Sequence, residues 1–157
     1  MIRSLKGVSV VTELFLLAVC FVAAPASAKA QGGQQHPAYL HALADLRSAR
    51  AHLSRPDNGD LGKDEKDAIH EINEAINEIR NASIDDHKNE NQHEPIDTNL
   101  DWPGRLHQAV TLLDKAHADV ARDEDNQFAE GLQQRALKHI DKAKREVYEA
   151  IRLTGSH

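Results

Sequence analysis

The chain is expected to form an all-α four-helix bundle, built from two duplicated antiparallel helical hairpins and preceded by a signal peptide. Three observations carry this expectation. The first is an internal repeat. Ala136-Leu137-Lys138-His139-Ile140-Asp141-Lys142-Ala143 matches Ala68-Ile69-His70-Glu71-Ile72-Asn73-Glu74-Ala75, which lies 68 positions earlier. The match continues at that offset through Glu78 and Glu146, Ile79 and Val147, and Ala82 and Ala150. Self-similarity at a fixed period signals a structural unit that recurs. The second is a set of apolar stripes at helical spacing. The third is composition: 28% charged and only 4% aromatic residues. That balance suits helices with aliphatic seams better than sheets, which draw on aromatic and β-branched residues.

Residues 1–28 read as a secretory signal peptide. Arg3 and Lys6 give a positive n-region, Leu14 to Ala24 an apolar core, and Ala26-Ser27-Ala28 a small-residue cleavage site. The apolar run is shorter than the roughly 20 residues a spanning helix needs, so no stable membrane insertion is expected after cleavage. Residues 29–35 are a Gly-rich flexible lead-in. Cys20 and Met1 are the only cysteine and methionine, and both leave with the leader. The mature chain then has no disulfide, thiolate metal site, cysteine nucleophile or thioether ligand. A periplasmic or secreted protein is expected.

The first hairpin is assigned to residues 36–83. Its first helix opens at His36-Pro37, because proline at the first helical position sacrifices no hydrogen bond. Tyr39, Ala42, Leu46, Ala49 and Leu53 form one apolar stripe. Pro56-Asp57-Asn58-Gly59 is a turn. The second helix runs from about Lys63 to Ser83, with Ile69, Ile72, Ile76 and Ile79 as its seam and Ala68, Ala75 and Ala82 beside them. Residues 84–100 are a polar connector without helical periodicity, either a functional loop or a crossover.

The second hairpin is assigned to residues 101–157, so that 36–157 makes one bundle domain. Asp101 is placed to cap the third helix ahead of Trp102-Pro103. Its seam, Leu106, Ala109, Leu113, Ala116 and Val120, stands 67 positions after the stripe of the first helix, residue for residue. The fourth helix follows the cluster Asp123 to Asn126, with Ala136, Ile140, Ala143, Val147 and Ala150 inward and Gly155 as its stop. One amphipathic hairpin leaves its seam wet, whereas two close a core. Trp102, Phe128 and Tyr39 are expected to close the ends of that core, or to offer a binding platform.

Formal net charge is −6, and loss of the leader, with Arg3, Lys6 and Glu13, takes it to −7. Such a chain is repelled by nucleic-acid phosphates, so no nucleic-acid partner is expected. From Asp64 to Ala82 six acids face two bases, while from Leu132 to Arg152 six bases face three acids. Complementary charges of this kind set register, either inside the bundle or between molecules, and make self-association or a protein partner an expectation. No Gly-rich phosphate loop, G-x-S-x-G or H-E-x-x-H occurs, nor an inward Glu-x-x-His on paired helices. An enzyme is therefore not expected, nor any catalytic or cofactor-binding residue.

Ten histidines raise the possibility of metal binding, and none on a helix falls on the traced seams. The best group is Asp67, His70, Glu71 and Glu74, extended by Glu78, which share one face of the second helix at spacings of three and four. Imidazole with carboxylate suits copper, nickel or zinc. The same pattern also fits a solvated acidic face. His41 with Asp45 is a weaker pair, and His87 and His93 sit among acids in the connector.

The motif at Ala136 to Ala143 resembles the A-x-x-H-h-x-x-A repeat of small metal-binding proteins of the bacterial periplasm, where h is apolar. In its twin, Glu71 stands where the motif has His139. That resemblance implies a histidine-bearing four-helix bundle that sequesters copper and other divalent ions. His36-Pro37-Ala38-Tyr39-Leu40-His41-Ala42-Leu43 also resembles the start of an exported bacterial family without an assigned role. The reading reached is a non-enzymatic exported bundle that buffers divalent metal through surface His, Asp and Glu. The alternative is a structural or envelope-stress protein that self-associates or binds a partner through charged helices.

Overall fold

A computed structural model describes residues 37–55, 61–82, 89, 91–122 and 127–154. The signal peptide and lead-in, the turn at Pro56 to Gly59, the cluster Asp123 to Asn126 and the stop at Gly155 lie outside the described residues. The described residues form four helices and no strand: α1 (Pro37–Leu53), α2 (Lys63–Asn81), α3 (Trp102–Val120) and α4 (Gln127–Thr154). None is long and apolar enough to cross a membrane.

Local chemistry sets the helix starts. Asp101 Oδ1 accepts a hydrogen bond from the Gly104 amide at 2.8 Å, satisfying one of the orphan donors of the first turn of α3. Gly104 permits this close approach, since a Cβ there would lie 2.7 Å from that same oxygen. At α2, Glu65 reaches back to the Gly62 amide at 2.9 Å.

The helices form a ring in the order α1, α2, α4, α3, packed most extensively as α1 on α3 and α2 on α4. The diagonal pairs α1/α4 and α2/α3 share no contact between their backbones among the described residues. Neighbours run antiparallel. Glu71 meets His139 and Lys142, whereas Glu78, about two turns further along α2, meets Arg135 earlier in α4. Asp114 pairs with Lys144 and His117 with Asp141 across α3 and α4. Arg105, near the start of α3, bonds the carbonyls of His52 and Arg55 at the end of α1. The end of α1 and the starts of α2 and α3 therefore lie at one end of the bundle. The expected antiparallel contact between α1 and α2 is present, but each of these helices packs more broadly on its counterpart from the other half of the chain.

The traced seams are the core. Leu46, Leu53, Ile72, Leu113, Ile140 and Val147 are fully buried, and every other seam residue is buried except Ile69 and Ala82, which pack at its margin. Each helix also buries a pair of alanines seven positions apart: Ala42 and Ala49, Ala68 and Ala75, Ala109 and Ala116, Ala136 and Ala143. Small side chains at these levels let the backbones approach closely, while the Leu and Ile levels fill the interior. The core is thin, and each large aliphatic counts for about 1.5–3 kcal/mol of burial.

Because α2 and α3 occupy opposite corners, the segment joining them must travel the bundle's length. Residues 92–97 carry no helix, and the described part of the segment, from Asn91, touches α1. Arg50 Nη2 donates to Asn91 Oδ1 at 3.3 Å and Arg55 Nη2 to the Thr98 carbonyl at 3.2 Å. α1 is correspondingly covered on both sides, burying Arg47, Ser48 and His52 as well as its stripe.

Packing at the midlevel is expected to dominate stability. Ile72→Ala or Ile140→Ala should lower unfolding free energy by about 2–5 kcal/mol, measured by urea denaturation followed by helical circular dichroism. Ala143→Leu should also destabilise, by about 1–3 kcal/mol, since the close approach leaves no room for the larger side chain. A neutral Ala143→Leu would show that the alanine level is not close-packed.

Candidate functional site

The α2 face proposed from sequence is divided between solvent and the helix interface. His70 is exposed, Asp67 and Glu74 are half-buried, and Asp67 pairs with Lys63 one turn away on its own helix. Glu71 turns towards α4. One carboxylate oxygen meets His139 Nδ1 at 2.6 Å and the other accepts from Lys142 Nζ at 3.1 Å. Glu78 accepts from Arg135 Nε at 2.9 Å. Among the described residues no three His, Cys, Asp or Glu side chains group so as to hold a metal ion. The acidic and basic helices thus meet inside the molecule, and two of the five α2 residues singled out from sequence serve that contact.

Burial pushes the Glu71 carboxyl up, but hydrogen bonds and charge from His139 and Lys142 outweigh it and hold the group below the ordinary carboxylate range. The same pairing keeps Glu71 ionised, as a bridge between two donors on successive turns of α4.

At the bundle end where α2 and α3 begin, sequence reasoning missed a cluster of buried polar groups. Arg105 is only 1% exposed, and its Nη1 donates to the carbonyls of His52 at 2.8 Å and Arg55 at 2.7 Å, closing the C-terminus of α1 with a cation. Glu65 is also buried and accepts from the Trp102 indole at 3.0 Å, so Trp102 ties the starts of α2 and α3 together. Trp102 packs against the core here and Tyr39 is buried near the start of α1, as expected of aromatics closing a thin core; the Phe128 side chain lies outside the described residues.

His52 lies off the traced seam of α1, yet it is an interior group. It is 4% exposed, with Nδ1 buried and without a hydrogen-bond partner among the described residues. Burial first, then the Arg105 and Arg55 cations and His93, push it below the ordinary histidine range, with Asp97 alone opposing. No sequence signal marks this, because the covering groups come from α3 and the connector.

A shallow groove of about 450 Å³ runs between α1 and α3, lined by His41, Asp45, Lys115 and Asp119. Burial raises the Asp45 carboxyl, Lys115 and His41 oppose this and Asp119 adds to it. The His41 and Asp45 pair noted in the sequence therefore faces a lysine and a second acid. Of the two connector histidines, His93 lies against the end of α1 and His87 is outside the described residues.

Known proteins offer no comparison: no family model, curated protein or solved structure matches the chain.

The Glu71 bridge predicts a specific acid sensitivity. A carboxyl lowered in the fold contributes stability above its unfolded value, near 4.5, and loses it as pH falls through the folded value. Glu71→Gln should lower stability at pH 7 by about 1–2 kcal/mol and flatten the decline in melting temperature below pH 4.5. An unchanged acid limb in Glu71→Gln would mean that other carboxylates govern it.

Proposed function

We propose that the protein is an exported, non-enzymatic helical bundle formed by duplication of a helical hairpin, and that it works as an interaction module through the outer face of α4. One observation carries the functional reading. Lys138, Asp141, Arg145, Tyr148 and Arg152 form one exposed stripe along α4, and Tyr148 and Leu153, the exposed large hydrophobics among the described residues, both sit at its C-terminal end, each 52% exposed. Lys138 and Arg145 make no ion pair among the described residues. Arginine and tyrosine beside an exposed leucine is the composition of a protein-binding hot spot, where a desolvated ring and a guanidinium supply most of the affinity. The cations favour a partner with an acidic surface.

Duplication is supported by the pairing itself. Glu71 and His139 are 68 residues apart, the repeat offset, and they touch. Equivalent residues meet where two copies face each other across a two-fold axis, the arrangement of an isologous dimer fused into one chain. Export rests on the leader at residues 1–28, and a periplasmic or secreted location follows from it.

Metal buffering is the second reading, and the resemblance to small periplasmic metal-binding proteins is its support. With Glu71 bridging to α4, it draws on Asp67, His70 and Glu74. The α4 reading is preferred because Lys138, Arg145 and Tyr148 stand exposed together on one face of α4, whereas Glu71 of the metal group is engaged with α4.

A photo-crosslinking residue at position 148, expressed in cells, is expected to give a discrete adduct with an acidic protein, lost on Arg145→Glu, while the same probe at His107 on α3 gives none. An adduct of twice the protein's own mass would identify a second copy as the partner. No discrete adduct at 148, or equal adducts at both positions, would sink the interaction reading. Calorimetric titration with copper, nickel and zinc should give weak, unsaturated heats that His70→Ala leaves unchanged. Saturable binding lost in that variant would establish the metal reading in its place.

A further inference from the structure

The surface on which the two halves of the chain meet fits a second copy of the same chain. The first half carries α1 and α2, the second α3 and α4. Within the first half, α1 and α2 share the smallest of the helix–helix contacts, whereas α1 packs broadly on α3 and α2 on α4. The inner polar links run the same way. Arg105 of α3 donates to the His52 carbonyl of α1, Trp102 donates to Glu65, and Glu71 meets His139. Much of what holds the core together therefore joins one half of the chain to the other. We propose that two copies of this chain exchange halves, α1 and α2 of each packing on α3 and α4 of its partner, to form a dimer of two complete bundles.

In such a dimer every contact across the surface is remade by the same residues. The packing of two bundles then equals that of two monomers, and only the connection and the cost of association differ. The connection has the reach. Residues 82–101 join α2 to α3, and a chain of that length spans at most about 66–72 Å. Returning along α2 takes about 28 Å, so the same segment can deliver α3 to a second molecule. Where it touches α1, the bonds from Arg50 to Asn91 and from Arg55 to the Thr98 carbonyl are exposed to solvent, and each is of small net value.

Charge decides which halves can meet. Two first halves brought together would set the acids Glu71 and Glu78 of one α2 against those of the other, and two second halves would oppose the cations Arg135 and Lys142 of α4. Only a first half with a second reproduces the pairs of Glu71 with His139 and of Glu78 with Arg135. The smallest exchanged assembly that satisfies every half in this way is a dimer. Within one chain the connection supplies an effective concentration on the order of millimolar, so exchange grows as the chain approaches that concentration. It is slow, because the core has to part first.

Refolding two full-length variants together tests the proposal. Glu71→Lys sets a third cationic side chain beside His139 and Lys142, and the double variant His139→Glu with Lys142→Glu sets two acids against Glu71. Each variant is mismatched within its own bundle. In an exchanged dimer of the two, one bundle carries all the substitutions and is complementary again, and the other carries none. Refolded from urea at ~0.1 mM with one chain isotopically labelled, the mixture should give a mixed dimer by native mass spectrometry. That dimer should be enriched about tenfold over the dimers of either variant alone, with a melting temperature restored towards that of the parent. In the parent, refolding at ~1 mM followed by dilution should leave a dimer that persists where chains refolded dilute are monomers. This second measurement decides the matter if the variants melt as the parent does. Monomers throughout would overturn the proposal, as would a parent dimer set by final concentration alone, the mark of surface association. Mixed dimers at the statistical share that keep the lowered melting temperature of the variants would overturn it too. Lys138, Arg145 and Tyr148 are untouched in these variants, so this proposal and the α4 reading fail separately.

Discussion

The diagonal placement of α2 and α3 is the constraint on which the polar architecture depends. Two helices on opposite corners, both starting at the same end of the bundle, cannot be joined by a tight turn. The chain has to travel back along the outside, a distance of about 28 Å for a helix of the length of α2. The described part of that segment meets α1, where Arg50 and Arg55 bond Asn91 and the Thr98 carbonyl. Arg47 lies beside the described connector residues, and Arg47, Ser48 and His52 are all interior groups. Burying charge without compensation is expensive. The compensation is built from what is adjacent: the carbonyls of His52 and Arg55 receive Arg105, and amide oxygens receive Arg50.

The two halves of the ring solve the packing problem differently. Between α1 and α3 the contact is apolar and closed at one end by the Arg105 cap. Between α2 and α4 the apolar seam is flanked by Glu71 with His139 and Lys142, and by Glu78 with Arg135. These pairs sit at the edge of a core whose alanine levels contribute little burial, where half-buried charge pairs with good geometry count for more than fully exposed ones. They also fix the helix register, because sliding α4 by one turn would separate every pair at once. Specificity of register is the best-attested service of such polar contacts.

What remains outward is uneven. The acids of α2 are half consumed by the interior: Glu65 takes the Trp102 indole, Glu71 and Glu78 take α4. α4 keeps Lys138, Arg145 and Tyr148 on its exposed stripe. Internal charge pairing therefore leaves a helix pair whose remaining surface is weighted towards cation and aromatic on one side, although the chain as a whole carries net charge −6. Local surface character and net charge need not agree, and binding is decided by the former.

The sequence by itself determined the four helices, because apolar spacing of three and four is a local property that each helix carries alone. Leu46, Ile72, Leu113 and Ile140 were legible as core, and Asp101 as a cap, for the same reason. The connector was legible as non-helical but not as a strap on α1, and the α2 face was legible as one acidic surface but not as divided between solvent and α4. Which helices become neighbours is not written in any one stripe, since all four seams look alike. Only the tertiary structure decided that α2 meets α4, which turned Glu71 from a candidate ligand into a partner of His139 and Lys142. It also decided that His52, Arg47 and Arg105 are interior. A polar residue's burial depends on what another segment lays over it, and that cover comes from residues about fifty positions away in the chain, beyond the reach of any local pattern.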